Sequence, residues 1–129
     1  PVVFDHAKNI FKDEIVQWGY TKSFDEYAEW LRKADILPVT SNQEFFGASV
    51  VEAIYCGTWP ILPNRLAYPE LLPKELHQQH LYSTEIDLYN KIIWTIDNYK
   101  KVRSQSFSSL AEQFDWETIK ISYDSLFFR

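Results

Sequence analysis

The segment from Val39 to Glu70 reads VTSNQEFFGASVVEAIYCGTWPILPNRLAYPE and decides the fold of this chain. It continues an apolar run at residues 35–40 that is typical of a buried strand, and it passes through a polar turn to a glycine that begins a short apolar helix. A second strand is predicted at residues 58–62, followed by a polar loop. A strand, a glycine turn and a helix together present free N–H groups and a positive dipole end to a phosphate.

Two carboxylates, Glu44 and Glu52, lie eight positions apart across the predicted helix start. If the helix begins near Gly47, eight residues span at most roughly 12 Å. That length is close to the separation of the sugar and the ribose in a nucleotide diphospho-sugar, whose diphosphate would lie over the amides of Gly47, Ala48 and Ser49. Ionised carboxylates accept hydrogen bonds from paired hydroxyl groups, so they suit both ends of such a ligand.

The helix after Gly47 is apolar on nearly every face, which predicts that it is buried and that Glu52 is buried with it. A buried carboxylate is costly unless another group hydrogen-bonds it. Two interpretations of Glu52 therefore remain open at this point. It binds a ligand hydroxyl, or it pairs with a nearby Arg or Lys.

The motif residues of this segment resemble a known family. Ser41-x-x-Glu44-x-Phe46-Gly47, then Glu52-Ala53, Cys56-Gly57 and Pro69-Glu70, are similar to the E-x7-E signature of family 4 glycosyltransferases with the GT-B fold. The resemblance runs from about residue 15 to residue 127. The segment EFFGASVVEAIYCGTWPILPNRLAYPELLP most resembles the tRNA-queuosine mannosyltransferase group.

This resemblance implies a role for each matching residue. Glu44 would hold sugar hydroxyls near the reacting carbon as the catalytic residue, and Glu52 would hold the ribose. The donor-binding residues implied besides Glu52 are Phe45, Phe46, Gly47, Ala48, Ser49, Asn64, Arg65, Leu66, Gly19 and Tyr20. For Arg65, a surface arginine is an equal alternative, and for Gly19 and Tyr20 the alternative is an ordinary turn at a strand end with a half-buried Tyr.

The sequence departs from the general family pattern at two places. The segment Gly57-Thr58-Trp59-Pro60-Ile61 carries one residue more than the usual Gly-x-Pro-Val-Val. Residues 64–68 replace the usual Gly-Gly turn, which puts in doubt a backbone cradle at that loop, because close approach of a ligand favours glycine. The mannosyltransferase group leads us to expect both departures.

Composition restricts the class of protein. At 129 residues, with aromatic residues at 17%, the chain is long enough for one domain with a substantial core. No run of about 18 apolar residues is present to span a membrane. The net charge is −5 and the sole basic cluster is at residues 100–103, so nothing resembles the basic footprint of a nucleic-acid surface. A tRNA acceptor would be bound mainly by parts outside this chain.

The first residues, Pro1 to Asp5, have no initiator Met and no signal-peptide pattern, so we expect the interior of a longer protein. A single Cys56 excludes an internal disulfide and favours a reducing, cytoplasmic compartment. Family members carry a basic pair near the start of this domain and a separate N-terminal acceptor domain, and both are expected to lie outside this chain. We therefore predict one truncated donor-binding domain over residues 1–129 that does not catalyse alone.

Periodicity predicts alternating helices and strands. An opening helix is followed by a strand at Ile15–Trp18, and Ser23 with Glu26 forms a capping box for a helix that ends near Lys33. Pro38 should lie at a bulge or at a strand end. This alternation predicts an α/β domain with a parallel sheet, whose ligand lies at the carboxyl ends of the strands. The resemblance further implies a Rossmann-like three-layer domain that is part of the C-terminal half of a GT-B enzyme.

The second half of the chain is predicted to be mainly helical. A turn or short helix closes at Pro73, residues 74–80 are polar, and Leu81-Tyr82 forms the last strand. Helices are predicted over residues 86–99 and 105–128. The positions expected to be buried in the last helical region are Phe107, Leu110, Phe114, Ile119 and Ile121.

Other chemistry finds little support in the sequence. His77 and His80 are close together but lack further ligands for a metal, so we interpret them as solvated. Phosphate-loop, dinucleotide-binding and D-x-D motifs are absent. No metal or cofactor is expected beyond the donor substrate, for which the resemblance favours GDP-mannose.

Three functions remain open. The first is a retaining transferase that moves a sugar, with mannose favoured, to an acceptor, with queuosine in tRNA favoured. The second is a family 4 enzyme that acts on a lipid or polysaccharide. The third is a non-catalytic α/β interaction module, against which the retained Glu44, Gly47 and Glu52 argue.

Overall fold

The computed structural model describes residues 2–127. In chain order the elements are α1 (Val2–Ile10), α2 (Phe24–Lys33), β1 (Ile36–Pro38), α3 (Ala48–Tyr55), β2 (Trp59–Pro63), a 3-10 helix (Tyr68–Leu71), α4 (Lys74–His80), β3 (Leu81–Tyr82), α5 (Glu85–Asp97), α6 (Tyr99–Arg103), α7 (Ser108–Ala111), a second 3-10 helix (Glu112–Phe114) and α8 (Trp116–Phe127).

The three strands form one parallel sheet in the order β1-β2-β3. Ile36 lies opposite Trp59, and Leu62 lies opposite Leu81. Helices connect successive strands, as parallel pairing requires. The predicted α/β class with a parallel sheet is confirmed, and Pro38 lies at the end of β1 as predicted.

The central strand β2 contains Pro60, although proline is rare in central strands because it has no N–H for the ladder. The N–H of Trp59 and the carbonyl of Ile61 bond to the β1 side, whereas the Asn64 N–H bonds to the Tyr82 carbonyl of β3. The backbone groups of Pro60 therefore point towards the β3 side of β2, at a position before the β2–β3 pairing begins at Leu62 and Leu81. The Pro60 carbonyl has no strand partner there and accepts a hydrogen bond from His80 Nδ1, at the end of α4, at 2.8 Å.

The core lies around β2, whose five residues are all buried. This continuous burial is typical of a strand that is covered on both faces. The ring of Trp59 packs against His80 and Phe107, with centroids 4.4 and 5.3 Å away. These contacts join the sheet to α4 and to the segment that enters α7.

Helix α2 begins and ends as its sequence predicts. The Ser23 hydroxyl accepts from the Glu26 N–H at 3.2 Å, which satisfies one free donor of the first turn. Glu26 reaches back to the N–H of Lys22 rather than that of Ser23. At the other end, the buried Thr58 hydroxyl donates to the Ala34 carbonyl at 3.1 Å and fixes the helix end beside β2.

The strand predicted at Ile15–Trp18 is wrong, because residues 15–18 have no ladder partner among the described residues. The apolar side chains that suggested a strand pack locally instead. Trp18 makes an edge-on contact with Phe4 of α1 at 6.4 Å, and the Lys8 ammonium lies 5.7 Å from the Trp18 ring. Helix α1 itself has no buried residue.

The polar segment before β3 forms α4, an element that the sequence analysis did not predict. Its polarity suggested solvated histidines, which is wrong for His80, a residue with no exposed surface. In the C-terminal region Phe107 is buried as predicted, and Leu110, Phe114 and Ile119 are half-buried. Ile121 is 70% exposed, so its predicted burial is also wrong.

Candidate functional site

The start of α3 is open to solvent at the carboxyl end of β1. Gly47 is the N-cap residue and adopts a left-handed conformation with φ of 88°, and no side chain caps the helix. The Gly47 carbonyl accepts from the N–H groups of Val50 and Val51. Ala48 and Ser49, which follow it, are exposed. The predicted helix start is confirmed, and it presents first-turn N–H groups and the positive end of the dipole to the surface.

Glycine is required at position 47 for two reasons. A left-handed φ is strained for residues with a side chain. A Cβ atom there would also lie 3.0 Å from Leu71 Cδ1 in the buried 3-10 helix. The loop after β2 therefore packs closely against the beginning of α3, and a side chain at position 47 would require Leu71 to shift by a few tenths of an ångström.

Glu44 lies beside this helix start and is partly buried. Its Oε1 accepts a hydrogen bond from the Phe45 N–H at 3.0 Å. Its Cγ lies 3.8 Å from the position that a Cβ on Gly47 would occupy. The structure thus brings the first carboxylate of the E-x7-E pattern to the open end of α3.

Glu52 is exposed, so the predicted burial is wrong. The buried face of α3 consists of Val50, Ala53 and Ile54. At helical spacing, Glu52 lies on the opposite face above Ala48 and Ser49. Its carboxylate reaches across to α2, where it accepts a hydrogen bond.

The partner of Glu52 is a tyrosine. The Tyr27 hydroxyl on α2 donates to Glu52 Oε2 at 2.8 Å. Among the described residues no Lys, Arg or His lies within 4.0 Å of the Glu52 carboxylate, so the ion pair considered above is not formed. Burial, together with the bond to Glu52, raises the pKa of Tyr27 to about 12. In the sequence, Tyr27 shares the helical spacing of Phe24, Ala28 and Leu31, which indicates core packing and gives no signal for this hydrogen bond.

Tyr27 and Glu52 line a groove of about 320 Å³ between α2, α3 and residues 111–115. Its surface is mainly apolar, with aromatic rings from Phe24 and Tyr55 and carboxylates at the rim. An apolar surface with a few polar groups is common where small molecules bind. On α3 the groove is lined by Val51, Glu52, Tyr55 and Cys56.

The loops after β1 and β2 meet at the same edge of the sheet, as predicted for parallel strands. The Arg65 guanidinium donates to the Ser41 carbonyl at 3.0 Å and joins the two loops. Asn64 is held by its N–H bond to the Tyr82 carbonyl at 2.8 Å. Leu66 adopts a φ of 55°, an unusual conformation for a bulky residue. A leucine thus makes the sharp turn for which the general family uses glycines.

The two aromatic residues before Gly47 differ in their packing. Phe45 is completely exposed. Phe46 is half exposed and makes an edge-on contact with Phe114 at 5.3 Å. The C-terminal segment therefore supports the approach to α3 without covering Ala48 and Ser49.

Gly19 and Tyr20 lie in a turn before α2. Gly19 has a φ of 76°, and Tyr20 is completely exposed, so neither a strand end nor a half-buried tyrosine is observed. The Gln17 side chain donates from Nε2 to the Tyr20 carbonyl. Within residues 2–127, no side-chain hydrogen bond or salt bridge joins Gly19 or Tyr20 to α3, and their role with a nucleobase stays a prediction.

Comparison with known proteins identifies the family. The family described as "Glycosyl transferases group 1" matches residues 4–108. The chain belongs to this family. It is 38% identical over 92 residues to a protein named tRNA-queuosine alpha-mannosyltransferase from Drosophila melanogaster, covering 71% of this chain and 23% of that protein.

Two further relatives are more distant. A probable sucrose-phosphate synthase of Thermosipho melanesiensis is 29% identical over 91 residues, which cover 70% of this chain and 21% of that protein. An uncharacterized glycosyltransferase of Methanocaldococcus jannaschii is 28% identical over 105 residues, covering 74% and 28%. The chain thus spans about a quarter of the length of these relatives. No solved structure gives a significant match.

None of the helices within residues 2–127 has the length and apolar character needed to cross a membrane. In the same residues, no three His, Cys, Asp or Glu side chains come together as a potential metal site.

Proposed function

We propose that this domain binds a nucleotide diphospho-sugar across the open end of α3. One observation carries the proposal: an uncapped helix start has Glu44 beside it and Glu52 on the exposed face above Ala48 and Ser49. The positive end of the helix dipole suits the diphosphate, and the two carboxylates suit hydroxyl groups on either side of it.

The chemistry proposed for this site is electrostatic. Transfer of the sugar breaks the bond between its anomeric carbon and the diphosphate, which leaves with the bonding electrons. The N–H groups at the start of α3 would stabilise the negative charge that develops on the diphosphate. Glu44 would orient the sugar through its hydroxyl groups, and Glu52 would hold the ribose.

GDP-mannose is the proposed donor, and queuosine in tRNA is the proposed acceptor. The 38% identity to the Drosophila mannosyltransferase supports this choice. The reaction would retain the configuration at the anomeric carbon. Acceptor binding would fall mainly to other parts of the protein, since the formal net charge of this chain is −5.

A second candidate has a different donor and acceptor. The similarity to a probable sucrose-phosphate synthase favours a family member outside the mannosyltransferase group. UDP-glucose is the competing donor in the binding experiment. Tighter binding of UDP-glucose than of GDP-mannose would favour this candidate.

The test of the proposed site is Glu52→Gln. In the full-length protein, we expect calorimetric titration with GDP-mannose to show binding weakened by about 1–3 kcal/mol, because the amide loses a charge-assisted hydrogen bond to the ribose. Glu75→Gln is the control, since Glu75 is an exposed carboxylate on α4. Equal affinity in the Glu52→Gln variant and the unaltered protein would contradict the ribose role. Failure of the unaltered protein to bind either donor would contradict the proposed function.

A further inference from the structure

Tyr27 is the residue that connects α2 to the carboxylate of Glu52. The two residues lie 25 positions apart in sequence, and their side chains meet at 2.8 Å across the gap between α2 and α3. Tyr27 is half-buried, and its ring lies 6.1 Å from that of Phe24. Packing therefore restrains the Tyr27 ring, and its hydroxyl contacts the exposed Glu52.

The hydrogen bond leaves part of the carboxylate free. A phenol donates one hydrogen, and it is directed to Oε2, so Oε1 remains available to accept hydrogen bonds from a ligand. With its pKa raised to about 12, Tyr27 stays protonated and remains a donor at neutral pH. The bond persists under the conditions in which a ligand would bind.

An exposed glutamate samples several rotamers, and ordering it on binding costs free energy. We infer that Tyr27 is a positioning residue, which fixes the Glu52 carboxylate in the orientation that receives the two ribose hydroxyls of the donor. This inference rests on the proposed function. Tyr27 need not touch the ligand, since it acts through Glu52.

The test compares Tyr27→Phe with the unaltered protein by calorimetric titration with GDP. Phenylalanine keeps the ring and its packing and removes only the hydroxyl. We expect GDP affinity to fall about two- to tenfold, the range for ordering one flexible side chain on binding. The affinity for 2′,3′-dideoxy-GDP, which lacks both hydroxyls that Glu52 would bind, should not change.

A double variant tests whether Tyr27 acts through Glu52. Adding Tyr27→Phe to Glu52→Gln should cause no further loss of GDP affinity if the two residues act as one unit. Tyr99→Phe is the matched control, because it removes another phenol bonded to a carboxylate, that of Asp35, before β1. Its GDP affinity should equal that of the unaltered protein.

The outcomes separate this inference from the proposed function. If Glu52→Gln weakens GDP binding and Tyr27→Phe does not, the positioning role is wrong and the proposed site stands. Equal losses of GDP and dideoxy-GDP in Tyr27→Phe would also overturn the positioning role, since they indicate a general change of packing. Absence of GDP binding to the unaltered protein would overturn both.

Discussion

The His80 side chain illustrates how burial can decide the state of a titratable group. It is buried between Trp59 and Phe107, and Nδ1 donates to the Pro60 carbonyl. Nε2 is buried without a hydrogen-bond partner within residues 2–127. Burial, with a smaller contribution from Lys91, lowers the pKa of His80 below its ordinary value, so the neutral form is the one that fits.

We predict that the free energy of unfolding decreases as the pH falls below about 6.5, the ordinary pKa of histidine. The unfolded chain binds a proton there more readily than the folded chain, so acid favours unfolding, and the stabilisation is complete only above that pH. Urea unfolding at pH 7.5 and pH 5.5 measures the difference. The difference in unfolding free energy between the two pH values should be smaller in His80→Phe. It should be unchanged in His6→Gln, because His6 is exposed. An unchanged difference in His80→Phe would contradict the assignment.

Local sequence does not reveal three properties of single residues: the hydrogen-bond partner of Tyr27, the exposure of Glu52 and the backbone conformation of Leu66. A tyrosine in an apolar helical stripe predicts packing, and Tyr27 does pack, but its hydroxyl finds a carboxylate from another helix. The apolar neighbours of Glu52 predicted burial, whereas the structure places its side chain on the exposed face of α3. The left-handed conformation of Leu66 has no sequence signal, because leucine rarely adopts it.

At the scale of elements, the junction between α3 and the 3-10 helix Tyr68–Leu71 determines the shape of the candidate site. Gly47 begins α3 with a left-handed conformation, and Gly57 follows its end with another, at φ of 88° and 89°. The two glycines differ in their surroundings. A Cβ on Gly47 meets the buried Leu71, whereas a Cβ on Gly57 meets nothing within 4 Å.

We predict that Gly47→Ala destabilises the protein more than Gly57→Ala. Both variants carry the cost of a left-handed alanine, about 1–2 kcal/mol. Gly47→Ala adds the cost of a close contact with Leu71, and overpacking of this kind typically destabilises a protein by about 1–3 kcal/mol. Urea unfolding of both variants checks the difference. Equal losses of stability would show that Leu71 moves aside without cost.

At the scale of the whole molecule, an aromatic cluster of Trp59, His80, Trp94 and Phe107 joins the sheet to the C-terminal helices. Trp59 and His80 have almost no exposed surface, and Phe107 is 7% exposed. The cluster packs β2 against α4, α5 and the segment before α7.

We predict that Phe107→Ala lowers the free energy of unfolding by about 3–5 kcal/mol, because it removes a buried ring from this cluster and leaves a cavity. Phe45→Ala is the matched control, since Phe45 is completely exposed, and it should change stability by no more than about 0.5 kcal/mol. Thermal and urea unfolding measure both changes. Similar losses in the two variants would contradict the assignment of the core.

Local patterns in the sequence predicted the elements that carry their own signals. The Ser23 cap, the glycine start of α3, the strand β2 and the α/β class follow from residue type and spacing, and all are observed. The burial predicted for the strand at residues 35–40 is wrong, since β1 is only partly buried. The strand at Ile15–Trp18 was wrong, because a strand needs a partner and an apolar run alone does not supply one. Helix α4 was missed, because its polar sequence conceals a buried His80.

The sequence by itself determined the kind of fold and the two carboxylates at the candidate site, because helix starts, apolar runs and motif spacing depend on neighbouring residues. The tertiary structure decided the exposure of Glu52, its bond to Tyr27, the loop contact between Arg65 and Ser41, and the use of His80 to complete β2 at Pro60. The three hydrogen bonds among these features join residues that are 20 or more positions apart in sequence. They arise only when packing brings distant polar groups together and each must find a partner.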